Sequence, residues 1–247
     1  MRWVPHRTRV AASVLGRVAF ILNDTAAMRP IIDGVMRQLG SATTQQQSVL
    51  KLHPLSRDLA AGLLPRSTYV AWLGQLFFVH RALEWHLGRL RAVVPPLASV
   101  VRDHYFHTPA IASDLACFGV GLQRLTPLAS TSVLVELIDG LAVRAPLALV
   151  GLAYVLEEGK NRGRQIAKRA RLAYRLRPGD GVAYLDPYGE GQRQRWLDFK
   201  VDMEATGFEP AEVAVMADAA RLMFTSLTSI LDEILAVERI TRRAPAM

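Results

Sequence analysis

The stretch Gly151 to Arg177 reads GLAYVLEEGKNRGRQIAKRARLAYRLR. An apolar entry, Leu147 to Leu156, runs into a middle holding Gly159 and Gly163, then into a strongly basic second half. Glycine inside a helical pattern costs about 1 kcal/mol against alanine, so two of them four apart mark a backbone that comes close to something. From Lys160 to Arg177 eight residues are Lys or Arg and none is acidic. Lys160, Arg164, Lys168, Arg171 and Arg175 share one helical face by their three-and-four spacing. Two accounts fit. A close-approach segment with a cationic face suits a flat apolar ligand carrying acidic groups. A helix packed tightly on a neighbour, with a solvated basic face, has the same pattern.

Working outward, every periodic segment is helical. Thr44 to His53, a helix opened by Pro54 and ended by Gly62, and a long helix from Tyr69 to Arg91 precede the Pro95-Pro96 stop. Leu97 to Tyr105, Ala110 to Phe118 and Thr131 to Arg144 follow, and Pro146 begins the central helix. Turns at Pro178 to Gly181 and Asp186 to Gly189 lead to two last helices, Gln192 to Ala205 and Pro210 to Arg239. No period-two alternation is long enough for a sheet, so the expected class is all-α. Gly40-Ser41-Ala42-Thr43 is read as a break with N-cap chemistry. It divides an N-terminal helical extension, 1–40, from a main domain, 41–240. The extension holds two amphipathic helices, Val10 to Leu22 and Met28 to Leu39. Its arginine-rich start resembles a targeting peptide, but Arg17, Asp24 and Asp33 argue against one.

The 247 residues suffice for one large domain with its own core. Net charge is +8, and only Lys51, Lys160, Lys168 and Lys200 among the 30 basic residues are lysine. Nucleic acid, anionic lipid and an acidic redox protein are the partners such a surface allows. Aromatic residues are not interleaved with the basic run, so no nucleic acid is expected. The run Ala145 to Leu156 is too short to span a bilayer. Cys117, the single cysteine, sits among apolar neighbours and reads as a small buried hydrophobe in a reducing, cytoplasmic setting.

No nucleophile elbow, glycine-rich phosphate loop or zinc spacing is present. The six histidines all lie between His6 and His107. His80 and Glu84 share a helical face, and Glu136 and Glu157 could face them. A di-iron bundle, however, needs histidines from later helices than these.

The residues resemble the bacterial heme oxygenases over roughly Thr43 to Glu233. The resemblance rests on Pro54 to Gly62 with Tyr69, on Leu73 to Glu84 ending HRALE, and on Gly151 to Glu157 (GLAYVLE). Gly163 to Ile166, Asp180-Gly181, the Tyr188-Gly189 turn and Trp196 to Lys200 complete it. It implies a heme oxygenase-like multi-helix bundle with heme held between two helices. A proximal histidine ligates iron, and a kinked distal helix carrying Tyr154, Gly159 and Gly163 covers the other face. Lys200 matches a propionate-binding position, and electrons come from an acidic partner such as ferredoxin.

Two departures stand out. The family's distal pattern runs YVLEGSxLGG, and Glu158 and Arg162 replace two of its glycines. The proximal histidine position falls on Gln47. The nearest histidine, His53, lies six residues on, about 9 Å along a helix axis. The expectations are therefore three. The first is a divergent biliverdin-forming heme oxygenase with iron on His53 or Gln47. The second is a catalytically inactive protein of the same fold that docks a partner through the 160–177 face or the extension. The third is a non-heme iron oxidase.

Overall fold

The computed structural model of the chain describes residues 34–243, so the 1–33 part of the expected extension lies outside the described residues. Ten α-helices and four short 3-10 turns make up the described residues, with no strand among them. The all-α expectation holds. In chain order the helices are α1 (Val35–Leu52), α2 (Pro54–Ala61), α3 (Arg66–Leu90), α4 (Pro95–Val100) and α5 (Thr108–Cys117). They continue as α6 (Ala129–Arg144), α7 (Ala148–Gly159), α8 (Gly163–Tyr174), α9 (Gln192–Ala205) and α10 (Pro210–Arg243).

α10 is the axis of the bundle and packs mainly on α7 and α1. Its Val213, Met216, Ala220, Met223, Phe224 and Ile230 are buried. The segment Pro210–Ile240 is long and apolar enough to cross a membrane by length and composition, yet 44% of its most apolar window is buried inside the bundle. α3 forms the second layer against α5 and α6, burying Tyr69, Leu73, Leu76, Val79, Leu83 and Leu87.

The expected break at Gly40 to Thr43 does not occur. Thr43 and Thr44 turn their hydroxyls back to the carbonyls of Leu39 (2.8 Å) and Gly40 (2.9 Å) instead of capping a new helix. Such i−4 bonds occupy the side chain within the helix and leave the ladder intact. α1 therefore runs unbroken through position 40, and its first amides (Val35, 2.9 Å; Met36, 3.0 Å) are capped by the Glu204 carboxylate of α9. Cys117 is exposed, not buried, because it falls on the outer side of α5's last turn.

The central stretch is two helices joined by a 3-10 turn, Lys160–Arg162. Its glycines serve different ends. A Cβ on Gly151 would lie 2.0 Å from the Met216 carbonyl oxygen, and one on Gly163 would lie 1.7 Å from that of Leu185. At these two positions the backbone of one element rests directly on that of another. A Cβ on Gly159 would meet nothing within 4 Å. Close approach of the turn at Leu185 thus explains Gly163, while Gly159 borders open space.

A polar seam lies inside α3, α5 and the segment after α8. Glu84 accepts from the His107 amide (2.6 Å) and the Thr108 amide (3.2 Å) at the start of α5, and bonds His80 Nδ1 at 2.9 Å. Asp114 accepts from the amides of Ala183 and Tyr184, both at 2.8 Å. Burial would raise the Glu84 carboxyl, but the bonds from His80, Thr108 and His107 outweigh it and hold it below its usual range. Burial also pushes His80 down to about 4 and lowers His107 further.

Two predictions follow from this packing. Gly163→Ala should destabilise the fold by about 3 kcal/mol through overpacking, whereas Gly159→Ala should be neutral or slightly stabilising; equal denaturation midpoints for the two variants would refute the contrast. Second, between pH 6.5 and about 4 the unfolded chain protonates His80 while the folded chain does not. Stability must then fall with falling pH, by about 1.4 kcal/mol per pH unit for each such proton. In His80→Gln the melting temperature should decline less steeply over that range, and an unchanged slope would show that His80 does not carry the effect.

Candidate functional site

A cavity of about 300 Å³ opens between α1, α2, the α7–α8 junction and α10. Ligand pockets run from about 300 to 1,000 Å³, so this one is at the small end. Its walls are mostly apolar: Leu50 of α1, Leu55 and Leu59 of α2, Trp72 and Leu76 of α3, Val155 and Leu156 of α7, Ile166 of α8, and Phe224, Leu227 and Leu231 of α10. The polar lining is concentrated on two sides. Gln47 and Lys51 come from α1; Glu158, Lys160, Asn161 and Arg162 come from the junction.

The sequence places these groups through two local devices. α7 carries a helical apolar pattern that buries one face on α10 and leaves its last turn, Glu158-Gly159, at the cavity. The 3-10 turn that follows tightens the backbone, so that Lys160 points inward and Asn161 and Arg162 outward. Gln47 Nε2 donates to Glu158 Oε1, which ties α1 to α7 at the cavity wall.

Of the expected site residues, Gln47, Glu158, Gly159, Arg162 and Gly163 come together in the lining, and His53, Tyr154 and Lys200 do not. His53 is only 7% exposed and closes α1 against α2. Its Nδ1 accepts from the Leu55 amide at 3.2 Å and its Nε2 lies 3.3 Å from Asp232 Oδ1. Both ring nitrogens are occupied and the ring stands outside the cavity. Tyr154 is buried with its ring 6.1 Å from that of Trp196, and burial pushes its phenol up to about 12. Lys200 sits half-buried on α9. Glu136 is exposed on α6, apart from His80 and Glu84, and no group of three or more His, Cys, Asp or Glu side chains among the described residues is arranged to hold a metal ion.

The expected basic face also changes. Lys160 is 3% exposed and belongs to the interior, and Arg175 ends α8 in a left-handed conformation (φ 55°). Arg164, Lys168 and Arg171 remain as a cationic strip along α8, with Arg164 bonded to Glu190 at 3.2 Å.

Behind the cavity lies a buried cluster for which the sequence offers little signal. Glu157 accepts from Tyr188 OH at 2.8 Å and bonds His107 Nε2 at 2.9 Å. His80 Nε2 meets Tyr184 OH at 3.0 Å, which extends the Glu84–His80 pair to the cavity wall. Lys160 donates to the Tyr184 carbonyl at 3.1 Å and places its ammonium over that residue's ring, 3.0 Å from the centroid. Burial raises the Glu157 carboxyl to about 7 and lowers the Lys160 ammonium to about 7, and each charge partly offsets the shift of the other. Tyr184 and Tyr188 come from turns without periodicity; the four-residue spacing of His80 and Glu84, with Glu157 able to face them, is the sequence signal for this cluster, and Glu136 has no part in it.

These residues do not fit a heme iron held by histidine. The imidazole nearest the expected position is turned into a helix junction, and the side chain at that position, Gln47, is bonded to the opposite wall.

A family model described as heme oxygenase matches residues 34–233. Among solved structures, the heme oxygenase of Leptospira interrogans superposes with a TM-score of 0.76 at 19% identity, over 81% of this chain and 99% of that one. Heme oxygenase-1 of the cyanobacterium Synechocystis, solved in complex with heme, gives 0.75 at 19% identity, over 84% and 97%. A domain of unknown function with a heme oxygenase-like fold from Shewanella denitrificans gives 0.64 at 14% identity, over 82% and 92%. No curated protein matches the chain. The likeness to these structures establishes the fold, and the match of the family model across α1 to α10 establishes descent: the chain belongs to the heme oxygenase family.

Proposed function

We propose that this chain is a ligand-binding member of the heme oxygenase family that has left histidine-ligated heme oxygenation. One observation carries the proposal: Gln47, at the family's proximal position, bonds Glu158 of the distal side. An amide is a poor iron ligand beside imidazole, and here it is already engaged. A Glu158 carboxylate against an apolar porphyrin face would be unfavourable without a partner, and Gln47 is that partner. The ligand that suits the cavity is smaller than a tetrapyrrole and largely apolar. The strip Arg164, Lys168 and Arg171 is the surface for an acidic protein partner.

A second proposal, a divergent biliverdin-forming enzyme fed by an acidic redox protein such as ferredoxin, has one observation in its favour. Gly159, a distal-side glycine, still borders open space at the cavity.

A hemin titration followed in the Soret region separates the two. The wild type should give no saturable one-to-one shift at micromolar hemin, and His53→Ala should behave like the wild type. Gln47→His combined with Glu158→Gly should bind hemin at least about tenfold more tightly, a gain of about 1.4 kcal/mol. A sharp one-to-one shift in the wild type, followed by loss of the Soret band on reduction under oxygen, would establish the second proposal instead.

A further inference from the structure

Lys160 is the feature that neither family membership nor the proposed loss of heme ligation accounts for. It is 3% exposed, it lines the cavity together with Tyr184, and it lies at the boundary between the apolar space and the buried cluster. Its fixed contacts are a backbone carbonyl and a ring face. The nearby carboxylates Glu84 and Glu157 bond His80 and His107. The charged and titratable groups that act on it are Glu157 of α7, Glu84 of α3 and Asp114 of α5; His80 and His107 stand in the same cluster.

We propose that Lys160 captures an apolar aldehyde in the cavity as a protonated imine. The proposal rests on the cavity being a ligand site, as argued above. The neutral amine adds to the carbonyl carbon, the carbonyl oxygen departs as water, and the nitrogen retains one proton. Ammonium and aldehyde become iminium and water, so charge and electrons balance without an oxidant or reductant.

Three observations favour an aldehyde over a carboxylic acid. A ligand carboxylate would bring a fourth acid to a lysine already facing three, and like charges in a low-dielectric site are costly. An iminium replaces one cation with another and leaves the field of Glu157, Glu84 and Asp114 balanced. Burial also lowers the amine to about 7, the direction in which desolvation makes a lysine nucleophilic. The apolar walls from Leu76, Val155, Phe224 and Leu231 would receive the hydrocarbon part.

The chain has four lysines, which makes the test direct. The full-length protein is incubated at pH 7 with cuminaldehyde and cyanoborohydride, and the reduced adduct is mapped by peptide mass spectrometry. Lys160 should be labelled about tenfold or more faster than Lys51, Lys168 and Lys200, none of which is buried. Cuminyl alcohol, which fills the same space without a carbonyl, should raise the melting temperature and slow the labelling of Lys160. Lys160→Arg keeps a cation in the cluster and should fold, bind the alcohol and lose the fast phase of labelling. Labelling confined to Lys168 and Lys200, or led by Lys51 on the α1 side of the cavity, with the alcohol still stabilising, would overturn the imine at Lys160 and leave Lys160 a counter-ion beside a true ligand cavity. Failure of the alcohol as well would remove the cavity as a ligand site.

Discussion

Two bare backbone contacts let this bundle close. Where α7 crosses α10, Gly151 lies against the Met216 carbonyl, and where α8 begins, Gly163 lies against that of Leu185. Any side chain at either point would push an element outward by a methyl group or more. Because α7 packs so closely, Glu157 and Lys160 are buried while Glu158 and Gly159 reach the cavity wall. The cavity, the clasp of Gln47 to Glu158 and the burial of Lys160 all depend on that close packing.

Such burial has an electrostatic consequence. Pushing a helix end and its 3-10 turn into the core buries groups that ordinarily face water, and buried polar groups need partners. Glu84 meets that need by capping α5, Asp114 by holding two amides after α8, and Glu157 by taking bonds from Tyr188 and His107. One lysine then stands among three acids. Hydrogen bonds among buried side chains, with both histidines held well below their ordinary pKa by burial, take the place of a simple salt bridge here.

The sequence was informative where periodicity operates and silent where contacts are long-range. The apolar spacing of Tyr69 to Arg91 and of Pro210 to Arg239 located α3 and α10, and Pro54 with Gly62 bounded α2 well. Gly40 to Thr43 misled because threonine hydroxyls cap helices or bond back within them, and only the buried setting of Leu39 and Thr43 decides which. Lys160 was placed on the solvated basic face by counting three and four. The 3-10 turn between α7 and α8 shifts that register and turns it inward. Gln47 and Glu158 were singled out as departures from a family pattern, but their mutual bond spans 111 positions and has no local signature. His53 had the right chemistry for a ligand, and its actual task as a helix-junction cap is written in the following proline rather than in the histidine.

The cavity wall is shared between the central helix α10 and the helices that clasp over it, so the cavity lies beside the main core. A molecule that fills the cavity would stabilise the folded chain by mass action, growing with the logarithm of its concentration over its dissociation constant. In a cell where unfolded chains are continuously degraded, this couples the abundance of the protein to the supply of its ligand. If the cavity is the ligand site proposed above, such a chain would persist where that ligand is made and decline where it is not.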